Sequence, residues 1–187
     1  MSGQHLANRD NWQLGARVTG DSGENDFVKY LAACLPDYYE VILKPPKIPI
    51  YSDGRGIVLD IAIVNTKTGV TLFIEVKTGK QGGNATEERA GKFLSDGIKR
   101  RIKQHHTTPA EPVFCVFAGK IFNGESGTLN KYIIERVNKR GKITRSTVDP
   151  RFYREKVEVQ MEGKPYAIMD HNYTNIAQVA ARIMEIV

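Results

Sequence analysis

Asp60, Glu75 and Lys77 are three charged side chains set inside the two most apolar stretches of this chain, G-I-V-L-D-I-A-I-V and V-T-L-F-I-E-V-K. Charges rarely enter such runs unless they are paired or hold a metal. Two carboxylates able to gather a divalent cation, with a lysine beside them, are the parts needed to hydrolyse a phosphodiester bond. The competing reading is an exposed edge hairpin whose acids do no chemistry.

Spacing supports the chemical reading. Residues two apart on a strand point the same way, so Glu75 and Lys77 share a face with Phe73 and Thr71. Thr66-Lys67-Thr68-Gly69 has the composition of a tight turn, with glycine at its fourth position. With Lys67 and Thr68 at the tip, Asp60 falls directly across from Glu75. A glycine bulge at Gly69 shifts that register by one residue.

The elements that must position these side chains follow from the rest of the chain. At 187 residues it is read as one domain, 1–187, with residues 1–23 as an N-terminal arm over the body. Residues 24–35 carry Phe27, Leu31, Cys34 and Leu35 at helical spacing, and Pro36 ends the run. Residues 39–44 alternate like a strand, and 44–56, with three prolines and two glycines, form a loop leading into the charged hairpin. Residues 85–103 read as a helix with Asn84 as N-cap, Glu87 completing a capping box, and Phe93, Leu94, Ile98 and Ile102 as the buried stripe. Residues 113–118 are an uninterrupted apolar run expected as a central strand. A helix is expected over 129–139, closed by Gly141. Strands are expected over 156–162 and 165–170, around a Glu-Gly-Lys turn. A last helix capped by Thr174 carries Ile176, Val179, Ala180, Ile183 and Met184. That order fits an α/β sandwich around a mixed sheet.

Composition narrows the partners. An apolar fraction of 41% and a charged fraction of 26% are ordinary for a soluble globular protein. Lysine and arginine outnumber the acids 27 to 21, for a net charge of +6 and a pI near 9.3, which suits a polyanionic partner. Cys34 and Cys115 lie in apolar patterns without neighbouring ligand types, as free buried thiols do. The polar N-terminus resembles no signal peptide, and no apolar run approaches the roughly 20 residues of a membrane helix, so a cytoplasmic location and no membrane partner are expected.

A second constellation, G-N-A-T-E-E-R-A-G-K at Gly83–Lys92, follows the first within ten residues. It places an amide, two acids and an arginine at an expected helix start, where free N–H groups favour phosphate oxygens. Asparagine reads adenine bidentately in the major groove, and arginine reads guanine O6 and N7 or donates to adenine N7. The plain alternative is an ordinary capped, charged helix.

Taken together, the hairpin resembles the PD-(D/E)xK nucleases, and the segment after it resembles the EcoRI and MunI group of type II restriction endonucleases. That group carries G-N-A-x-E-R followed by x-x-K after its E-x-K strand. The stretch N-W-Q-L-G-A-R-V-T-G-D-S-G-E-N-D-F is similar to the start of a member of the same group. The likeness is clearest over about residues 11–27 and 56–101. Two departures stand out: Leu59 replaces the proline before the first aspartate, and the second motif is one residue longer, at Thr86 or Glu87.

The resemblance implies a restriction-endonuclease-like core, a mixed β-sheet flanked by helices. It implies Mg²⁺ held by Asp60, Glu75 and the Val76 carbonyl, with Lys77 orienting the attacking water. It implies double-stranded DNA contacted by Asn84, Ala85, Glu88, Arg89 and Lys92, a homodimer on a palindrome with AATT at its centre, and 5′-phosphate ends. A bacterial or archaeal cytoplasm is the implied setting. Two other tasks remain open on the residues themselves: a structure-selective repair or junction nuclease, and a non-catalytic DNA-binding protein.

Other features are read plainly. Lys99-Arg100-Arg101-Ile102-Lys103-Gln104-His105-His106 is a solvated helix end or a phosphate-contacting patch, and Glu24 is a structural helix acid or a carboxylate behind the metal ligands. Lys80-Gln81-Gly82-Gly83 lacks the context of a nucleotide-binding loop, so no nucleotide cofactor is expected. Tyr38, Tyr39 and Tyr51 read as packing residues.

Overall fold

The computed structural model describes residues 22–78, 93–119, 122, 132–137, 140–148, 150–170 and 172–187. In chain order these form α1 (Ser22–Cys34), β1 (Tyr39–Leu43), β2 (Ile48–Pro49), β3 (Gly56–Ile57), β4 (Ile61–Asn65), β5 (Thr71–Thr78), α2 (Asp96–His105), β6 (Val113–Ala118), β7 (Tyr132–Val137), β8 (Ile143–Val148), α3 (Pro150–Gln160), β9 (Tyr166–Met169) and α4 (Ile176–Ile186).

Six consecutive buried residues make β6 a strand covered on both faces. It sits inside a five-stranded sheet of order β1-β4-β5-β6-β9. The β1–β4 and β4–β5 pairs are antiparallel, while β5–β6 and β6–β9 are parallel. Strand alternation divides the apolar residues between two cores. One face packs Phe73, Cys115 and Phe117 with Ile102 of α2 and Val157 of α3. The other packs Ile74, Phe114 and Val116 with Phe27 and Leu31 of α1 and Val179 and Ile183 of α4. Helices therefore flank a mixed sheet, as expected.

The turn between β4 and β5 has Gly69 at φ 70, with Thr68 and Gly69 N–H groups donating to Asn65 O at 3.2 and 2.8 Å. Glycine takes this left-handed conformation without penalty. The expected loop over 44–56 contains a small ladder, Ile48↔Ile57 and Pro49↔Gly56. A Cβ on Gly56 would meet Ile48 O at 2.0 Å, so only glycine permits that approach. The ladder folds Ile48, Ile50, Ile57 and Leu59 onto the core. Leu59 is thus a buried anchor immediately before Asp60.

Several expectations are corrected. Residues 132–137 form a strand, not a helix: Tyr-Ile-Ile-Glu-Arg-Val is rich in β-formers and pairs with Ile143–Val148, and Gly141, at φ 75, lies between the two strands. Residues 156–162 lie largely in α3. Their alternation mimicked a strand, but Val157 and Met161 are buried at helical spacing while Val159 is exposed. Pro150 opens that helix, where its missing N–H costs nothing. Of the helix expected over 85–103, residues 85–92 lie outside the described residues; Ser95 has an extended backbone and α2 starts at Asp96. Its stripe nonetheless packs as expected, with Leu94 and Ile102 buried and Phe93 and Ile98 against the same core. Asn175, not Thr174, stands at the last helix start, because Asp170 binds the Thr174 hydroxyl and N–H.

Candidate functional site

The β4–β5 ladder runs to Ile61↔Ile74, and the same register carried one residue further sets Asp60 opposite Glu75. No bulge shifts it. The β5–β6 register then sets Cys115 beside Glu75. A row of side chains therefore crosses the sheet at the carboxyl end of β5, on the face that packs α2 and α3.

Glu75 is 5% exposed in this row. Its Oε1 accepts a hydrogen bond from Lys77 Nζ, whereas Oε2 is buried without a hydrogen-bond partner. Burial and the Asp60 charge push the Glu75 carboxyl up to about 7, against the opposing pull of Lys77 and Lys44. Asp60 is held on three sides. Its Oδ2 accepts the Val76 N–H at 2.8 Å, its Oδ1 accepts Lys44 Nζ at 2.8 Å, and its carbonyl accepts the Lys44 N–H at 2.8 Å. Lys77 Nζ also lies 5.9 Å from the centroid of the ring of Phe93, three residues before α2.

Two carboxylates on neighbouring strands, one with a buried oxygen lacking a donor, suit a hard divalent cation bound through oxygen. The raised Glu75 carboxyl has the same meaning: the site holds more negative charge than its burial favours, and a cation would relieve it. Among the described residues no group of three or more His, Cys, Asp or Glu gathers as a metal site, so the side-chain ligands offered here are the two carboxylates.

The structure thus brings Asp60, Glu75, Val76 and Lys77 together. Asn84, Ala85, Glu88, Arg89 and Lys92 lie outside the described residues, as does the Lys80–Gly83 stretch. Two partners of the site were missed in the sequence. Lys44 reads there as the last residue of a strand, and only the β1–β4 register carries it to Asp60. Phe93 reads as core alone, though its position one helical step before the buried Leu94 was visible.

The basic run at the end of α2 lies elsewhere. Lys99 pairs with Glu111, and His106 packs edge-on against Phe73 at 5.0 Å. Burial and the neighbouring His105 lower the His106 pKa. An open groove of about 570 Å³ lined by Lys103–Ala110 sits beside the start of β5, where Thr107 O accepts the Thr71 N–H. Glu75 and Lys77 are at the other end of that strand. Cys115 is buried, and burial pushes its thiol up to about 12, so it is no nucleophile at neutral pH. Cys34 is likewise a free thiol, half-buried. Tyr39 is core and Tyr51 exposed. No described helix is long and apolar enough to cross a membrane.

No protein-family model and no curated protein matches this chain. Among solved structures it is similar to MunI restriction endonuclease, determined in complex with cognate DNA. The likeness covers 79% of this chain and 80% of that one, at 18% identity and a TM-score of 0.52. At that identity it is a likeness of fold: the sheet and its flanking helices have the restriction-endonuclease-like architecture.

Proposed function

We propose that this protein is a Mg²⁺-dependent type II restriction endonuclease, acting as a homodimer of single-domain chains on a palindromic duplex with AATT at its centre. The observation that carries the reading is the buried, unpartnered Glu75 Oε2 beside Asp60 and Lys77 at the end of β5.

Asp60, Glu75 and the Val76 carbonyl would hold the ion, leaving its remaining positions to water and a DNA phosphate oxygen. Bound there, Mg²⁺ supplies Lewis-acid polarisation of the scissile phosphate and lowers the pKa of its water. The protein's own part is positional. The Val76 N–H fixes the Asp60 carboxylate, and burial on the face that packs α2 and α3 fixes Glu75. Lys77, hydrogen-bonded to Glu75, would orient the attacking water through Nζ and face the charge that develops on phosphorus-bound oxygen. In-line attack breaks the P–O3′ bond, leaving a 5′-phosphate and a 3′-hydroxyl. Two chains related by a two-fold axis would place one such site on each strand. Arg89, with Asn84, Ala85, Glu88 and Lys92, is assigned to base and phosphate contacts on the resemblance of the Gly83–Lys92 segment.

Digestion of a long duplex with the purified protein and Mg²⁺, followed by sequencing of the ends, tests this reading beside an Asp60→Ala control. Discrete fragments sharing one palindrome support it, and its centre reports on AATT. Scattered or branch-dependent ends, or no difference from the control, would sink it.

A further inference from the structure

We propose that Lys44 is a positioning residue of this site: it occupies Asp60 until a divalent cation displaces it, and then takes a DNA backbone phosphate. The inference rests on the reading of Asp60 and Glu75 as metal ligands.

Lys44 is bound to Asp60 twice, through its main-chain N–H to the carbonyl and through Nζ to Oδ1, each at 2.8 Å. Its φ of 48 lies in the left-handed region, which non-glycine residues enter uncommonly and hold where their surroundings fix them. The main-chain hydrogen bond to Asp60 is one contact that holds it there, immediately before Pro45 and Pro46.

The two carboxylates are not equivalent. Glu75 keeps Oε2 without a donor, while both Asp60 oxygens are taken, one by the Val76 N–H and one by Lys44. A cation entering between Glu75 and Asp60 therefore meets the Lys44 ammonium already bound at Asp60 Oδ1 and is repelled by it. The lysines differ as well. The Lys77 side chain is 14% exposed, whereas that of Lys44 is 39% exposed. A half-solvated ion pair is held weakly, so Lys44 is the one that yields. Two added positive charges between the carboxylates repel its ammonium toward solvent. The displaced ammonium, its side chain 39% exposed, is then offered to a phosphate of the bound duplex. The arrangement makes metal binding weak in free protein and stronger once DNA is present to receive Lys44.

The test uses the full-length protein and Lys44→Met, which keeps the apolar stem and removes the charge. Free Mn²⁺ is counted by electron paramagnetic resonance without DNA, and duplex binding is followed in Ca²⁺ across a salt series. Lys44→Met should bind Mn²⁺ roughly tenfold more tightly, since a competing unit charge is removed. Its slope of log affinity against log salt should fall by about 0.9 for each chain bound. Lys44→Arg should restore near-parental Mn²⁺ binding. A Mn²⁺ site lost in Asp60→Ala but unaltered in Lys44→Met overturns the role of Lys44 alone, as does an unchanged salt slope. Mn²⁺ binding indifferent to Asp60→Ala overturns the metal reading and this inference with it.

Discussion

The two hairpins of this molecule, β4–β5 and β7–β8, carry similar residues and meet opposite fates. Both pair strands rich in β-branched residues that lie close in sequence, and both hold acidic and basic residues within those strands. In the first, Ile61, Ile63, Leu72 and Ile74 are all buried and Glu75 is sealed in with them. The second stands in its own two-stranded sheet, with Val137 68% and Ile143 57% exposed. A charge within an apolar strand is therefore informative only when the strand has neighbours on both sides. For Glu75 those neighbours are Asp60 and Cys115. In the second hairpin Val137 and Ile143 face water, where a charged side chain in their place would cost little.

If this contrast is right, substitutions in the two hairpins should differ in kind. Asp60→Ala or Glu75→Ala should abolish Mg²⁺-dependent cleavage by roughly a thousandfold or more, the loss of several kcal/mol of transition-state stabilisation. Single-turnover rates on a cleaved duplex would measure it, and a residual rate within tenfold of the parent would break the comparison. Ile74→Ala should cost about 2–5 kcal/mol of stability in urea unfolding, as large-to-small changes in a closed core do.

A smaller effect sharpens the electrostatic side. In the metal-free protein Glu75 titrates near 7, above its ordinary 4.5, so the folded state holds that proton more tightly than the unfolded chain. Its stabilising contribution is full below about pH 4.5 and is lost as pH rises through 7. Across that window wild type should lose on the order of 1–3 kcal/mol relative to Glu75→Gln, which carries no titrating group. Thermal melts in chelator at pH 5 and 8 read the difference, and an opposite sign would refute it. Mg²⁺ should then raise Tm more at pH 8 than at pH 6, because protons compete for the same carboxylate. The smallest effect belongs to the second hairpin. Ile143→Thr should change stability by no more than about 0.5 kcal/mol. A change above 2 kcal/mol would mean that this surface is covered in solution, and a concentration-dependent melt would then show by what.

Legibility in the sequence followed the same division. The Asp60–Glu75 register was readable because the turn Thr66-Lys67-Thr68-Gly69 lies between them and a hairpin register is local. Val113–Ala118 was readable because an unbroken apolar run has nowhere to go except a doubly covered strand. The stretch 129–162 was misread at both ends. Short runs such as Tyr-Ile-Ile-Glu-Arg-Val and Lys-Val-Glu-Val-Gln-Met satisfy either period, and what packs against them decides. Lys44 was missed because nothing local marks it.

Composition, the turn and the apolar periods by themselves determined that this chain builds a mixed sheet between helices, with Asp60, Glu75 and Lys77 close together in it. Those features depend on contacts a few residues apart, and hydrophobic burial imposes them on almost any packing. Only the tertiary structure decided that Glu75 loses water while one of its oxygens gains no donor, and that Lys44, sixteen residues before Asp60, occupies the second carboxylate. Desolvation and ion pairing are set by what the rest of the fold brings within a few ångströms, and the order of residues along the chain does not contain that distance.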